Sequence, residues 1–487
     1  MENHPKRGIR TTLNEHRTYL LLIMKNISFK FLVVGLVILY SVAFSLHLGN
    51  YAFGIFSVLT YLLVNYIYIR RKTSYSFVSF ELFFFLSFFL ACIAFPLLDL
   101  ENTEFYWVTR IFGEIQDAAK WRFLNLALVG YYAYMIGILV AKVKSSDREI
   151  IKALQLNDMF LTISNLLTLM FIAIFFIQGG MNLMNRYTSD DHESFEKYGS
   201  MLFYITLMYT ISAATIAIKA GQHKQAFILY LFSPKNLLFT LNSILILPIF
   251  LLSGYRSQFL QLAIPLLYLY VFFKKKISNK RLATLFVIGF GLMMLIGMTR
   301  GGGAATSGHD IVYYLRDFII EDAAGVWLVE YTDLNGPTGG SNAILQMVSF
   351  IPFLGGILED IIGLENITLP SSRIFTYAYK TDGTGLGTNI IGDLYYTFGF
   401  AGVIIFMFLL GFLIRKLSCH GGIYSLVCFL LMLGNSVFSV RVEFFYIVRS
   451  LGFSLIIIWL ITQIAGSPKY KKAIADCKFL KLTHNKI

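Results

Sequence analysis

From Leu237 to Gly303 three apolar runs follow one another with short polar breaks, and the second break contains Lys274-Lys275-Lys276. Runs of about 17 to 25 apolar residues are long enough to cross a bilayer as helices. Blocks of lysine favour the cytoplasmic side. The triple lysine therefore predicts a cytoplasmic turn, which puts two arginines on the opposite face. These are Arg256, in Ser253-Gly254-Tyr255-Arg256-Ser257-Gln258, and Arg300, in Met298-Thr299-Arg300-Gly301-Gly302-Gly303. Guanidinium groups are costly at a bilayer edge, and two on one face repel unless an anion lies between them. A diphosphate is the simplest such anion. The alternative is that both side chains snorkel to headgroup phosphates.

The rest of the chain has the same texture. It is 56% hydrophobic and 14% charged over 487 residues, too apolar for a soluble core. The net charge of +13 sits in short blocks between apolar runs rather than along one face, which argues against nucleic acid as a partner. About twelve spans fit, at 31–48, 51–69, 76–98, 122–141, 159–178, 200–218, 237–253, 257–273, 282–299, 391–414, 423–440 and 446–465. With the N-terminus cytoplasmic, most of the 41 Lys and Arg residues fall on the cytoplasmic side and most of the 28 Asp and Glu on the other. The expected fold is an all-α polytopic membrane protein. Its parts are a cytoplasmic segment 1–30, spans one to nine over 31–299, a large outer loop 300–390, spans ten to twelve over 391–465 and a basic cytoplasmic tail 466–487. Residues 225–232 are too short to span and are read as interfacial. The four cysteines give the outer loops neither a disulfide framework nor a metal site.

The loop 300–390 is far longer than an ordinary connection, which marks it as functional or independently folded. Ile311, Tyr314, Leu315, Phe318, Ile319, Val326 and Val329 recur at helical spacing, interleaved with Arg316, Asp317, Glu321 and Glu330. They predict an amphipathic helix on or near the membrane. Ile344 to Ile362, broken by Pro352 and Gly355-Gly356, predicts a bent interfacial or re-entrant element. The loop closes through Arg373 and the glycine-rich run Asp382-Gly383-Thr384-Gly385-Leu386-Gly387-Thr388-Asn389 into span ten. A helix start after such a run can present N–H groups to an anion, or the glycines are only a flexible loop end.

Arg441, Glu443 and Arg449 form a third outer cluster, read either as a site or as an internal Arg–Glu pair. Asp393 fits a first-turn acid favoured by the helix dipole. Glu81, inside the third span, is expected to be neutral or paired. The acids and bases available to activate a hydroxyl in the loop are Asp382, Asp317, Glu321 and His309. No Asp-x-Asp pair is present to hold a metal-bound nucleotide, so neither metal nor cofactor is expected.

Three stretches together carry a resemblance: the Gly-Tyr-Arg-Ser turn at 254–257, the Thr-Arg-Gly opening of the large loop at 299–301, and the run from Gly385 to Gly402. With the layout of residues 160–450 they resemble the Wzy-type oligosaccharide repeat-unit (O-antigen) polymerases. The resemblance implies a GT-C-like, metal-independent inverting glycosyltransferase in the bacterial inner membrane, with its site facing the periplasm. It would transfer a growing glycan from undecaprenyl diphosphate to the next lipid-linked repeat, with membrane lipid around it and a chain-length regulator as a further partner. On that reading Arg256 and Arg300 hold the diphosphate, Arg373, Arg441 and Arg449 are further candidates, and the base comes from Asp382, Asp317 or Glu321. The related ligases carry a late loop histidine that this chain lacks. Ligase and flippase are the alternative readings; sparse charges within the spans and the absence of an internal repeat argue against the flippase.

Overall fold

Within hydrocarbon every backbone N–H and C=O must be satisfied inside its own segment, which makes helices the outcome for apolar runs of this length. The computed structural model describes residues 28–71, 78–94, 117–141, 158–178, 193–223, 226–252, 256–273, scattered positions within 278–291, 311–348, scattered positions within 351–361, 368–379, 387–418 and 422–465. All regular elements among them are helical.

The principal helices are α1 (Ser28–Ser45), α2 (Tyr51–Arg71), α3 (Phe80–Phe88, continued by a π-helical turn Phe89–Ile93), α4 (Asp117–Val140), α5 (Asp158–Ile177), α6 (Glu193–Gln222), α7 (Leu237–Leu252) and α8 (Arg256–Phe273). They continue with α9 (Ile311–Asn335), α10 (Ser371–Tyr379), α11 (Ile390–Leu417), α12 (Ile423–Gly434) and α13 (Tyr446–Ile464). Among the described residues seven helices are long and apolar enough to cross a membrane: α1, α2, α4, α5, α6, α11 and α13. The apolar segments Phe80–Ile93, Phe259–Phe273 and Ile423–Gly434 are shorter. Each expected span coincides with a helix except the ninth, 282–299, which lies largely outside the described residues. Residues 225–232 yield a short helix, Phe227–Leu231, with Phe227, Tyr230 and Leu231 buried and Ile228 and Leu229 exposed, the pattern of an interfacial turn. Glu81 is buried and its carboxylate accepts a hydrogen bond from the Tyr68 hydroxyl at 3.3 Å.

The centre of the bundle is the pair α4 and α11. Glycines on both let the backbones touch, as small residues do between membrane helices. A Cβ on Gly137 would meet the Phe408 carbonyl oxygen at 2.1 Å, and one on Gly130 would meet Ile391 and Val403. Arg122 lies level with Tyr395, Gly130 with Val403 and Gly137 with Phe408, so the two helices run in the same direction. This matches the alternation inferred from charge, in which spans four and ten start on one side. Antiparallel neighbours fit as well: Gln261 in the second turn of α8 bonds Asn435, just past the end of α12, at 3.0 Å. The end of the bundle with Asn50, Asp117, Asn335 and Ile390 is the loop end. At the other end the Lys219 ammonium pairs with Asp158.

Two expectations are corrected. The second half of helix α9 does not lie on a surface: Ala323, Ala324, Val326, Leu328 and Val329 are fully buried. Gly325 meets Gly392 and Phe123 so closely that a Cβ on Gly392 would lie 2.9 Å from the Gly325 Cα. The C-terminal half of the loop helix is wedged between the π-turn of α3, α4 and α11. Span eleven, expected over 423–440, is an α-helix only as far as Gly434. There Asn435 turns its amide back onto the Leu431 carbonyl (2.8 Å), the Ser436 hydroxyl takes the Leu433 carbonyl (2.6 Å), and a 3-10 turn, Ser439–Arg441, follows. Twelve residues rise about 18 Å, short of the ~30 Å hydrocarbon core.

Candidate functional site

Two irregular backbone segments meet at the loop end. The first is a break in α11 at Gly399, whose φ of 67° and ψ of −164° lie in a region open almost only to glycine. The carbonyls near the break are satisfied from the loop after α9: the Thr338 N–H donates to Tyr396 O (2.9 Å) and the Gly340 N–H to Thr397 O (3.0 Å). Asn342 adds a side-chain bond to the Thr397 hydroxyl at 2.9 Å. The second segment is 435–445, where Ser439, Val440, Val442 and Phe445 are buried. Irregular backbone is tolerated in a membrane protein only where protein covers it or a polar cavity needs it. Its concentration at one end makes that end the candidate site.

The start of α11 is sealed rather than open. Asn389 is fully buried, its side-chain oxygen accepts from the Ile391 N–H (2.9 Å), and its amide donates to Ala91 O on the π-turn (2.7 Å). The helix thus offers no exposed N–H at Ile391, which argues against the anion-binding one of the two readings of the glycine-rich run; residues 382–386 of that run are outside the described residues. Four residues on, the buried Asp393 accepts from the Ser371 hydroxyl (2.7 Å) and from the Phe444 N–H (2.9 Å). Glu443, within electrostatic reach of Asp393, accepts from the Ser372 hydroxyl. Adjacent serines at the start of α10 are therefore pinned to two carboxylates, one on α11 and one on the 439–445 turn.

This clasp brings loop and bundle together around several residues singled out by sequence. Arg373, next to Ser372, is exposed, and Arg441, two residues before Glu443, is half-buried. Arg449 goes elsewhere: its guanidinium packs over the rings of Phe203 (5.1 Å) and Phe453 (5.7 Å) at the junction of α6 and α13. Arg256 is the first residue of α8, and Asp317 and Glu321 lie on the N-terminal half of α9; their side chains are outside the described residues, as are Arg300, His309 and Asp382 altogether.

A second polar group was missed from the sequence. Arg122, in the second turn of α4, donates to Asp333 Oδ1 at 2.9 Å, with their side chains 19% and 25% exposed. The Tyr395 hydroxyl of α11 donates to the same oxygen at 2.6 Å. Phe44 lies under the guanidinium at 4.6 Å, and His47 Nε2 is 3.3 Å from Arg122 Nη1. His47 adopts a left-handed backbone with φ 52° in the turn after α1. One turn before Asp333, Glu330 is pushed above the usual carboxylate range by burial and then by the Asp333 charge. The available signal was positional: like Arg256, Arg122 opens an apolar run on the lysine-poor side.

A family model described as O-antigen polysaccharide polymerase Wzy matches residues 25–472, nearly the whole chain. The chain belongs to the O-antigen polysaccharide polymerase Wzy family. Searches of curated proteins and of solved structures returned no match. As a Wzy polymerase the chain is a multi-pass membrane protein of polysaccharide biosynthesis, a glycosyltransferase-type polymerase acting on lipid-linked oligosaccharide. The Wzy match includes every element of the loop end, so both polar groups lie within the matched residues.

Proposed function

We propose that this Wzy protein polymerises undecaprenyl-diphosphate-linked repeat units on the periplasmic face of the inner membrane, by inverting transfer without a metal. The observation that carries the reading is the family match over residues 25–472. The geometry supports it: the large loop folds back into one end of the bundle, and the lysine blocks assign the opposite end to the cytoplasm. Arg256 and Arg300 hold the diphosphate, and Arg373 and Arg441, carried on the two elements clasped by Ser372 and Glu443, extend the basic surface. Arg449 supports this rim from its aromatic seat. Breaking the sugar–diphosphate bond builds negative charge on the leaving group, so fixed guanidiniums stabilise the transition state more than the ground state. An acid of the loop takes the acceptor proton, a role for which the sequence put forward Asp382, Asp317 and Glu321. A chain-length regulator of the same membrane is the further partner.

Glycan analysis of a strain lacking the gene tests this. Loss of a polymerase leaves single repeat units on the surface, and the intact chain restores a ladder. Complete loss of surface repeats would indicate a ligase instead.

A further inference from the structure

The two polar groups at the loop end differ in what they leave open. Both oxygens of Asp393 are occupied, one by Ser371 and one by the Phe444 N–H, and the residue is 2% exposed. It can hold the fold but has no face for a substrate. Asp333 is the reverse. Arg122 and Tyr395 both bond its Oδ1, while Oδ2 accepts no hydrogen bond among the described residues, and the side chain is 25% exposed. The carboxylate is thus held at one oxygen by two donors from different membrane helices, with the other left to accept.

Its place in the chain sharpens the point. Asp333 sits in the last turn of α9, which ends at Asn335, where the helix dipole disfavours negative charge. A clamp between loop and bundle could be made without a carboxylate at that position. The groups around it are also those of a proton-transfer site. Arg122 and His47 lie on one side, Tyr395 donates from α11, and Glu330 stands one turn back on α9.

We propose that Asp333 is the catalytic base that deprotonates the acceptor hydroxyl, with Arg122 and Tyr395 as positioning residues; this rests on the polymerase reading above. The acceptor O–H proton passes to Asp333 Oδ2 as the oxygen bonds the anomeric carbon of the donor. The bond from that carbon to the diphosphate oxygen breaks, and its electron pair leaves with the lipid diphosphate. Asp333 then returns the proton to solvent. The base accordingly comes from the C-terminal end of the loop helix, not from the acids that sequence alone put forward.

The test uses the full-length protein in proteoliposomes with polyprenyl-diphosphate-linked repeat units, measuring chain growth against pH. Asp333→Asn is expected to lower kcat by about 100- to 10,000-fold with donor KM nearly unchanged. The acid limb of the wild-type rate profile should be missing from the residual activity. Asp333→Glu keeps a base and should keep measurable growth with that limb. The exchange Arg122→Asp with Asp333→Arg rebuilds an ion pair and should stay inactive. Growth by Asp333→Asn near the wild-type rate, or recovery in the exchanged pair, would reduce Asp333 to a clamp and overturn the proposal while leaving the polymerase reading intact. Wild-type protein that elongates nothing would overturn both.

Discussion

A Cβ placed on Gly411 of α11 would lie 2.0 Å from the carbonyl oxygen of Tyr134 on α4. The nearest obstacle is backbone, which cannot rotate aside, so the parallel helices α4 and α11 cross at the distance that glycine sets. Since α4 carries Arg122 and α11 carries Tyr395 and Asp393, this crossing fixes the loop-end geometry.

Gly411→Ala should therefore force the helices apart and destabilise the protein by about 1 to 3 kcal/mol, as overpacking does. Gly411→Leu should prevent assembly. Gly35→Ala on α1, where nothing lies within 4 Å of the added Cβ, should be neutral. Thermal melting of detergent-purified protein separates the two positions.

The break at Gly399 makes a second demand. With φ 67° and ψ −164°, an alanine there should cost about 1 to 3 kcal/mol of strain. It should also loosen the bonds from Thr338 and Gly340 to the Tyr396 and Thr397 carbonyls. Activity should fall more than the melting temperature suggests, because the segment that follows Asp333 is the one released.

The clasp of α10 gives a third. Asp393→Ala takes the acceptor from the half-buried Phe444 N–H, at about 1 to 3 kcal/mol, and leaves the Ser371 hydroxyl with only the Thr388 hydroxyl at 3.0 Å. Limited proteolysis should then cut near residues 371–379 faster than in the parent. Asp393→Asn, which retains one acceptor oxygen, should be cut at an intermediate rate. Equal cutting in all three proteins would mean that the clasp does not hold the loop.

Much of this architecture was legible in sequence, and the physics says why. Hydropathy and lysine blocks act along the chain, so the all-helical membrane class and the shared direction of α4 and α11 could be read directly. That residues 225–232 form no span followed from length alone, and they fold as the short helix Phe227–Leu231. The burial of α9 was less visible because its charges, Arg316, Asp317, Glu321 and Glu330 among them, are spread along its length and set the amphipathic pattern. The run Ala323-Ala324-Gly325-Val326 was the clue to close packing in the second half. The pairing of Arg122 with Asp333 spans 211 residues, a separation at which one sequence holds no signal. The early end of α12 depended on Asn435 and Ser436 folding back on their own helix, a local choice that hydropathy does not register.

For the diphosphate the account makes a separate demand. Arg256→Ala or Arg300→Ala should leave insertion intact and slow chain growth by two to three decades, about 3 kcal/mol of transition-state stabilisation. Lysine should rescue poorly, since a single ammonium lacks the bidentate fork. Quantitative glycan ladders from complemented cells give the readout, and unchanged chain length in either alanine variant would remove these arginines from the site.

The most direct measurement is a cryo-EM structure of the protein with a polyprenyl-diphosphate-linked repeat unit. The account predicts diphosphate density at the loop end, bonded by Arg256 and Arg300, with an acceptor hydroxyl within reach of Asp333. Density at the lysine-rich end, or guanidiniums turned outward into lipid headgroups with the loop end empty, would contradict it.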